Sequence, residues 1–189
     1  MEGFKISPDG NKILYIQSIP KKRELEKLYD SLPKATGRIN EDLMYRHWDT
    51  WVDEYPHFFI ANYSNASVTE NSGIVDLLEG EPFEAPLRPF GGIEQAAWSP
   101  DSKTIAYTCK KKVGKDYAVS TNSDIYSYDI ESKKTVNISE GMMGYDMNPV
   151  FSPDGKMIAW ESMEHDGYES DKNRLIIYDI ESAKWEDVS

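Results

Sequence analysis

Apolar and polar positions along this chain form short strands separated by turn residues, and one such pattern returns three times. The copies span residues 4–16, 97–108 and 150–160, and each has a short apolar segment, a Ser-Pro-Asp turn and a strand of alternating apolar positions. Proline presets φ for the turn, aspartate bonds the backbone ahead, and the glycine that follows accepts positive φ. Ser102 replaces that glycine in the middle copy. Each copy therefore predicts a β-hairpin.

A second repeat supplies two further strands to each unit. Residues 123–139 and 173–189 share the segment Tyr-Asp-Ile-Glu-Ser, which ends one strand and opens a hairpin into the next. Together the two patterns give four strands in about 50 residues, the length of a β-propeller blade. We therefore predict an all-β, partial β-propeller domain of about three four-stranded blades, at residues 4–78, 97–139 and 149–188. Since propellers have typically four to eight blades, we expect a section of a larger protein.

The first unit contains an insertion, at about residues 20–56, that the other two units lack. The third and fourth strands of this unit are predicted at residues 58–62 and 74–78. Within the insertion, apolar residues recur at helical spacing and a proline follows them, which predicts a short amphipathic helix on the outer edge of the blade. These residues are Leu25, Leu28, Tyr29, Leu32 and Pro33. The apolar side of this helix packs either on the blade or on a partner protein.

The composition is acidic and narrows the range of partners. The chain of 189 residues has 21 Lys+Arg against 33 Asp+Glu, a net charge of −12. Because such a surface repels phosphate backbones and anionic lipids, neither nucleic acid nor a membrane is predicted as a partner. No apolar run is long enough to span a bilayer. A signal-peptide pattern is also missing before the first strand, which predicts either an intracellular protein or a piece of a longer one.

The motifs of common catalytic and cofactor sites are missing from the sequence. It contains no G-x-S-x-G nucleophile elbow, no Walker phosphate loop and no G-x-G-x-x-G fingerprint. The single cysteine, Cys109, ends an alternating strand and is interpreted as a small buried hydrophobic residue. The three histidines lack metal-ligand spacing, and His165, which has an acid on either side, is assigned to a solvated loop. We therefore predict no catalytic residue, no cofactor and no metal in this chain.

The most distinctive segment lies in the insertion and reads Arg-His-Trp-Asp-Thr-Trp-Val-Asp-Glu, residues 46–54. Two tryptophans among charged side chains allow two interpretations. Exposed indole rings and carboxylates would line a peptide-binding cavity and hold an ammonium group. Alternatively, the tryptophans anchor the insertion to the first blade while Arg46 pairs with Asp49 or Asp53. The candidate substrate-binding residues are Arg46, Trp48, Asp49, Trp51, Asp53 and Glu54.

These features resemble the propeller of prolyl oligopeptidase family serine peptidases, in particular the bacterial dipeptidyl-peptidase and acylaminoacyl-peptidase-like branch. The resemblance rests on the Ser-Pro-Asp-Gly turns, on residues 46–53, and on further segments at 86–92, 120–126 and 167–175. It covers nearly the whole chain. The proline turn is shared with TolB-type propellers, so the segment at 46–53 is the more specific signal.

The resemblance implies a propeller of about seven blades that caps an α/β-hydrolase domain and admits only short peptides. Acidic side chains near the propeller cavity of such exopeptidases often bind the amino terminus of the substrate. The hydrolase domain is absent from this chain, so the resemblance implies a non-catalytic section that gates and positions peptides for it. A periplasmic parent is expected, since Gram-negative members are often exported. The alternative is a stand-alone TolB-like module for protein–protein interaction.

Three blades without neighbours are also expected to leave two apolar blade faces uncovered. Exposed apolar patches of several hundred square ångströms are uncommon on soluble monomers. Self-association, as a two-fold dimer or as a head-to-tail ring, would cover both faces.

Overall fold

Three four-stranded sheets dominate the computed structural model, which describes residues 3–21, 31, 34, 37–40, 43–64 and 73–189. The strands are β1 (Phe4–Ile6), β2 (Lys12–Pro20), β3 (Arg46–His47), β4 (Thr50–Trp51), β5 (Glu54–Asn62), β6 (Val75–Asp76), β7 (Ala96–Trp98), β8 (Thr104–Cys109), β9 (Asp124–Asp129), β10 (Lys134–Asn137), β11 (Asp146–Phe151), β12 (Met157–Ser162), β13 (Arg174–Asp179) and β14 (Lys184–Asp187). The described residues also include one α-helix, α1 (Gly114–Val119), and a 3₁₀ turn at Ile93–Gln95.

Each sheet is a meander of antiparallel strands and corresponds to one sequence unit. Blade 1 has the strand order β1-β2-β5-β6, blade 2 runs from β7 to β10, and blade 3 runs from β11 to β14. The Ser-Pro-Asp turns join the first two strands of each blade. This architecture confirms the predicted all-β fold of four-stranded sheets.

The insertion of blade 1 holds an element that the periodicity does not predict. Strands β3 and β4 pair as a small separate hairpin, with Arg46 opposite Trp51. Helix α1, between β8 and β9, is also unpredicted, because six residues are too few to show a helical period. The predicted amphipathic helix around Leu25–Leu32 falls outside the described residues.

Blade 2 is buried on both faces, and the alternation of β8 shows why. Side chains of Ile105, Tyr107 and Cys109 belong to the apolar core shared with blade 1, whereas Ala106 belongs to the core shared with blade 3. Successive side chains of a strand point to opposite faces, so β8, which lies between two blades, is buried at five of its six positions. Cys109 is fully buried, as its interpretation as a small hydrophobic residue requires.

The core between blades 1 and 2 is the larger one and contains several aromatic rings. Phe58 of β5 meets Tyr107 edge-on at 6.1 Å between ring centroids, and Tyr107 stacks on Tyr126 at 5.7 Å. Leu14 and Ile16 of β2 are also buried there. Burial of these side chains, at about 1.5–3 kcal/mol each, holds the two sheets together.

The core between blades 2 and 3 encloses a carboxylate. Asp146, at the start of β11, is fully buried and accepts a hydrogen bond from Trp160 Nε1 at 3.2 Å through Oδ1. Its second oxygen, Oδ2, has no hydrogen-bond partner. Burial raises the pKa of Asp146 to about 6, because the charged form loses its hydration.

The two outer faces of the three-blade stack differ. On blade 3 the face turned away from blade 2 exposes Val150, Met157, Leu175 and Val188, each with 43–56% of its surface accessible. On the far face of blade 1, Phe4 and Ile6 of β1 are 57% and 37% exposed, whereas four other apolar side chains are at most 8% exposed. These four are Ile13, Tyr15, Phe59 and Ala61, which form a core cluster of their own. The far face of blade 1 is therefore only partly uncovered, and self-association stays a prediction.

The Ser-Pro-Asp turns share one hydrogen-bond scheme. In each turn the serine hydroxyl donates to the aspartate two residues on, as from Ser99 to Asp101 at 2.6 Å, and accepts from a backbone N–H across the hairpin. These bonds stabilise the carboxylates and lower the pKa of Asp9 to about 2. Ser102 takes the left-handed φ of +62° that glycine has in the other turns, and its hydroxyl accepts a hydrogen bond from Asp9 N at 3.0 Å.

Two substitutions of Ser102 distinguish the cost of its backbone strain from the contribution of its hydrogen bond to stability. Ser102→Ala keeps the strained φ and loses the acceptor for Asp9, so it should lower the free energy of unfolding by about 1–2 kcal/mol. Ser102→Gly loses the same bond but relieves the strain, so it should cost less than Ser102→Ala. Urea unfolding of both variants measures this, and an equal or larger loss for Ser102→Gly would contradict it.

The buried Asp146 predicts an unusual pH dependence of stability. Its folded pKa lies above the unfolded value, so the folded state is favoured by protonation and loses this stabilisation as pH rises from about 4 to 6. Asp146→Asn keeps the shape without the charge. Its stability relative to the unmutated chain should be higher at pH 7.5 than at pH 4, by about 2 kcal/mol. Chemical unfolding at both pH values tests this; a pH-independent difference would refute a buried carboxylate that titrates near 6.

Candidate functional site

The connections β2–β5, β8–β9 and β12–β13 lie at the same end of their blades, because every blade is an antiparallel meander. We call this the insertion end. The segment at 77–95, which joins β6 to β7, reaches the same end, where Glu84 forms a backbone bridge with Lys110 of the β8–β9 connection. The longest loops of the chain therefore meet on one side of the sheets.

The β3–β4 hairpin presents Trp48 at its tip. This side chain is 69% exposed, and its φ of +52° lies in the left-handed region, which is uncommon for a bulky residue. The indole ring meets Phe90 edge-on at 5.4 Å between ring centroids, and Phe90 is itself 82% exposed. A strained backbone that holds a large apolar side chain in solvent is a feature of binding sites.

A cavity of about 280 Å³ lies between this hairpin and residues 86–91. Trp48, Trp51, Glu54 and Arg88 are among the residues that line it. The Arg88 guanidinium lies 3.5 Å from the Glu54 carboxylate, so the charges within the cavity are partly paired. The two Xaa-Pro bonds of this wall, at Pro86 and Pro89, are cis.

The base of the hairpin is held by charged side chains. Arg38 forms an ion pair with Asp53 and lies 4.3 Å above the Trp51 ring. Arg46 lies 5.5 Å from the same ring and its Nη2 donates to the backbone carbonyl of Asp49 at 3.4 Å. The expected pairing of Arg46 with an aspartate carboxylate is thus replaced by the pair with Arg38.

The candidate residues of the sequence do come together, but not as a buried anchor. Trp48 and Trp51 are 69% and 39% exposed, so the interpretation in which both tryptophans bury themselves against blade 1 is wrong. The physical reason is the hairpin itself, whose two-residue turn projects Trp48 away from the sheet. Of the six candidates, Trp48, Asp49, Trp51 and Glu54 line the cavity, and Arg46 and Asp53 do not.

A second cavity, of about 240 Å³, contains a carboxylate that sequence analysis did not identify. It lies on the other side of the stretch from Val52 to Tyr55, and Glu84 and Tyr117 are among its lining residues. Glu84 is 5% exposed. Its Oε2 accepts a hydrogen bond from the Tyr117 hydroxyl at 2.8 Å, whereas Oε1 has no hydrogen-bond partner among the described residues. We call this the Glu84 cavity.

The walls of the Glu84 cavity combine aromatic, aliphatic and cationic side chains. Tyr55 and Tyr117 contribute rings, Val52 and Val113 contribute aliphatic surface, and Lys21 and Lys112 also line the cavity. A carboxylate with one open oxygen between aromatic rings suits a cationic group, which gains both charge pairing and contact with ring faces.

The segment that carries Glu84 is fixed to blade 1 by His57. The ring is 2% exposed, with Nδ1 at 3.0 Å from both carboxylate oxygens of Asp76 and Nε2 at 3.1 Å from the Phe83 carbonyl oxygen. Lys111 adds an ion pair with Glu81 at 2.6 Å. Glu84 therefore lies on an anchored segment.

Other candidate chemistry is not assembled. Asp166, beside His165, accepts hydrogen bonds from Ser120 and from the backbone of Thr121 and Asn122, which ties the β12–β13 loop to blade 2. Within the described ranges, no three His, Cys, Asp or Glu side chains group as metal ligands would. The helix in these ranges does not combine the length and apolar character needed to cross a membrane.

Sequence comparison finds relatives that cover almost all of this chain. Dipeptidyl-peptidase 5 of Porphyromonas gingivalis is 53% identical over 182 residues, which are 96% of this chain and 26% of that protein. The protein of the same name from Porphyromonas endodontalis is 48% identical over 175 residues. The chain thus spans about a quarter of the length of the curated relatives it matches. No family model matches it.

Solved structures share the fold at low sequence identity. TolB from Acinetobacter baumannii matches all of this chain over 32% of its own length, with a TM-score of 0.52 and 15% identity. The β-propeller domain of the Trilobed protease from Pyrococcus furiosus matches all of it with a TM-score of 0.50 and 12% identity. These likenesses establish the β-propeller fold of the three blades.

The exposure of Trp48 predicts that its truncation costs little stability. Trp48→Ala should lower the free energy of unfolding by no more than about 1 kcal/mol. Trp160→Ala, at a ring that is 1% exposed between blades 2 and 3, should cost about 3–5 kcal/mol. Urea unfolding of the two variants gives the comparison; a similar loss in both would mean that the hairpin ring is an anchor after all.

Proposed function

We propose that this chain is a β-propeller section of a serine peptidase of the prolyl oligopeptidase family and that it positions short peptides at its insertion end. The peptides are presented to a hydrolase domain that lies elsewhere in a longer protein, and the propeller restricts access to it. The chain itself contributes binding groups and no catalytic residue. The dipeptidyl-peptidase 5 relatives support this assignment, since their name describes removal of dipeptides.

The open oxygen of Glu84 is the observation that carries the proposal. A dipeptidyl-peptidase has to recognise a free amino terminus, and a substrate ammonium group needs a negatively charged acceptor. Glu84 Oε2 is occupied by Tyr117, so the carboxylate is held in one orientation with Oε1 free to accept. Its 5% exposure limits competition from water, which strengthens a charge-assisted hydrogen bond.

The cavity between the β3–β4 hairpin and residues 86–91, which we call the hairpin cavity, would hold the side chains of the peptide. Trp48 and Trp51 supply aromatic surface, and Asp49 and Glu54 supply acceptors at the rim. Arg46 and Asp53 would act indirectly, by holding the hairpin through the Trp51 ring and through Arg38. Since Val52 lines both cavities, a peptide bound at Glu84 lies within reach of the hairpin.

The stand-alone interaction module is the weaker alternative. Its support is the likeness to TolB, which at 15% identity concerns the fold alone. The export of the parent to the periplasm stays an expectation from the family.

Binding of a short peptide with a free amino terminus tests the proposal. Glu84→Gln keeps an acceptor for the Tyr117 hydroxyl but removes the charge, so it should weaken binding about tenfold or more. Titration calorimetry or NMR on the purified chain measures the affinity, with the N-acetylated peptide as a second ligand that should bind weakly to both proteins.

Glu131→Gln is the matched control, since Glu131 lies exposed in the β9–β10 turn of blade 2. It makes the same change in charge and should leave binding unchanged. Equal affinity for the free and acetylated peptides, or an unaffected Glu84→Gln variant, would reject Glu84 as the ammonium acceptor.

A further inference from the structure

Lys110, the residue after β8, is a buried lysine whose ammonium group has no bonded carboxylate among the described residues. It is 5% exposed, and its Nζ donates to the carbonyl oxygens of Tyr117 at 2.8 Å and of Ser120. These carbonyls belong to the last turn and the C-cap of helix α1. The same ammonium group lies 4.0 Å from the centroid of the Tyr117 ring. Lys110 therefore caps α1 by hydrogen bonds, by its charge at the negative helix end, and by a cation–π contact.

Lys110, Tyr117 and Glu84 form a closed set of contacts. The backbone of Lys110 bridges to that of Glu84, the side chain of Lys110 bonds the backbone of Tyr117, and the hydroxyl of Tyr117 donates to Glu84 Oε2. Every member is thus held by the other two. The orientation of the Glu84 carboxylate depends on the position of α1, and that position depends on Lys110.

Charges around Lys110 only partly compensate for its burial. Burial lowers the pKa of Lys110 to about 8, and Lys112 adds to this effect, whereas Asp166, Glu84 and Glu169 oppose it. The Tyr117 phenol does not share the titration, because burial and Glu84 raise its pKa further from neutrality. Deprotonation of Lys110 would remove the cation from the ring and from the helix end together.

We propose that Lys110 is a positioning residue whose charge holds helix α1, and through Tyr117 the Glu84 carboxylate, in the arrangement that accepts a cationic ligand. Loss of this charge uncouples Tyr117 from Glu84 and weakens ligand binding at moderately alkaline pH. The ligand part of this proposal rests on the proposed function of Glu84. The coupling of Lys110 to Glu84 does not, and it can be measured without any ligand.

The coupling is tested by NMR on the free chain between pH 6.5 and 10. The ¹³Cε resonance of Lys110 should titrate near pH 8, apart from the other lysines, which titrate near 10.4 in model peptides. The amide resonances of Glu84 and Tyr117 should shift with the same midpoint. If Lys110 titrates and those amides do not follow, or if it titrates with the other lysines, the proposal is wrong.

Binding is tested with a short peptide whose amino terminus is trimethylated, so that the ligand charge does not change with pH. Its affinity should fall about tenfold between pH 7 and pH 9.5 in the unmutated chain, the loss expected when one charge-assisted interaction is removed. Lys110→Met should bind weakly at both pH values, and Lys110→Arg should bind with little change across this range. The matched control is Lys115→Met, at an exposed position on the same helix, which should keep the pH dependence.

Two further comparisons distinguish the positioning role of Lys110 from a loss of folding and from failure of the proposed function. Tyr117→Phe retains the ring over Lys110 but lacks the hydroxyl, so it should keep the Lys110 titration and lose the response of Glu84, even where Lys110→Met does not fold. If neither the trimethylated peptide nor the same peptide with a free amino terminus at pH 7 binds while the amides still follow Lys110, the proposed function is wrong and the positioning role stands. A pH-independent affinity in the unmutated chain, despite binding, would overturn the positioning role.

Discussion

Burial of apolar side chains between neighbouring sheets is the interaction on which the rest of this structure depends. Blade 2 has no solvated face, since Ile105 and Tyr107 pack against blade 1 while Ala106 and Ile125 pack against blade 3. Hydrophobic contact is not directional, so the sheets need only stack with complementary faces. The Ser-Pro-Asp turns then align the blades through contacts such as that between Asp9 and Ser102.

The loops are free to carry function, because they are not needed to hold the sheets together. The sheets are stabilised by their faces, so the connections at the insertion end tolerate the β3–β4 hairpin, α1 and the long segment at 77–95 without loss of the core. Several polar groups at that end are satisfied by one another, as His57 is by Asp76 and by the Phe83 carbonyl. Glu84 has one oxygen bonded to Tyr117 and one without a partner among the described residues, and such a carboxylate on an anchored segment favours a ligand site.

Under the proposed function the two cavities would achieve specificity in different ways. The hairpin cavity is lined by the partly exposed rings of Trp48 and Trp51, which offer a large contact area to many side chains. The Glu84 cavity instead offers one buried charge, which discriminates strongly because a ligand without a cation leaves the carboxylate desolvated and unpaired. A propeller that binds peptides needs one surface that accepts many different side chains and another that accepts only the charged chain terminus.

The repeats alone determined the four-stranded units and their strand order, because alternation and turn chemistry are local properties of adjacent residues. The exposure of Trp48 is not a local property. The sequence of the insertion is equally compatible with tryptophans that anchor it to blade 1, and only the pairing of Arg46 with Trp51 placed the indole at a hairpin tip. Glu84 carried no sequence signal, since an acid beside prolines is typical of a solvated linker. Its burial, its bond to Tyr117 and its dependence on Lys110 join residues 26 to 33 positions apart along the chain, and such contacts exist only once blades 1 and 2 have packed and brought their loops to one end.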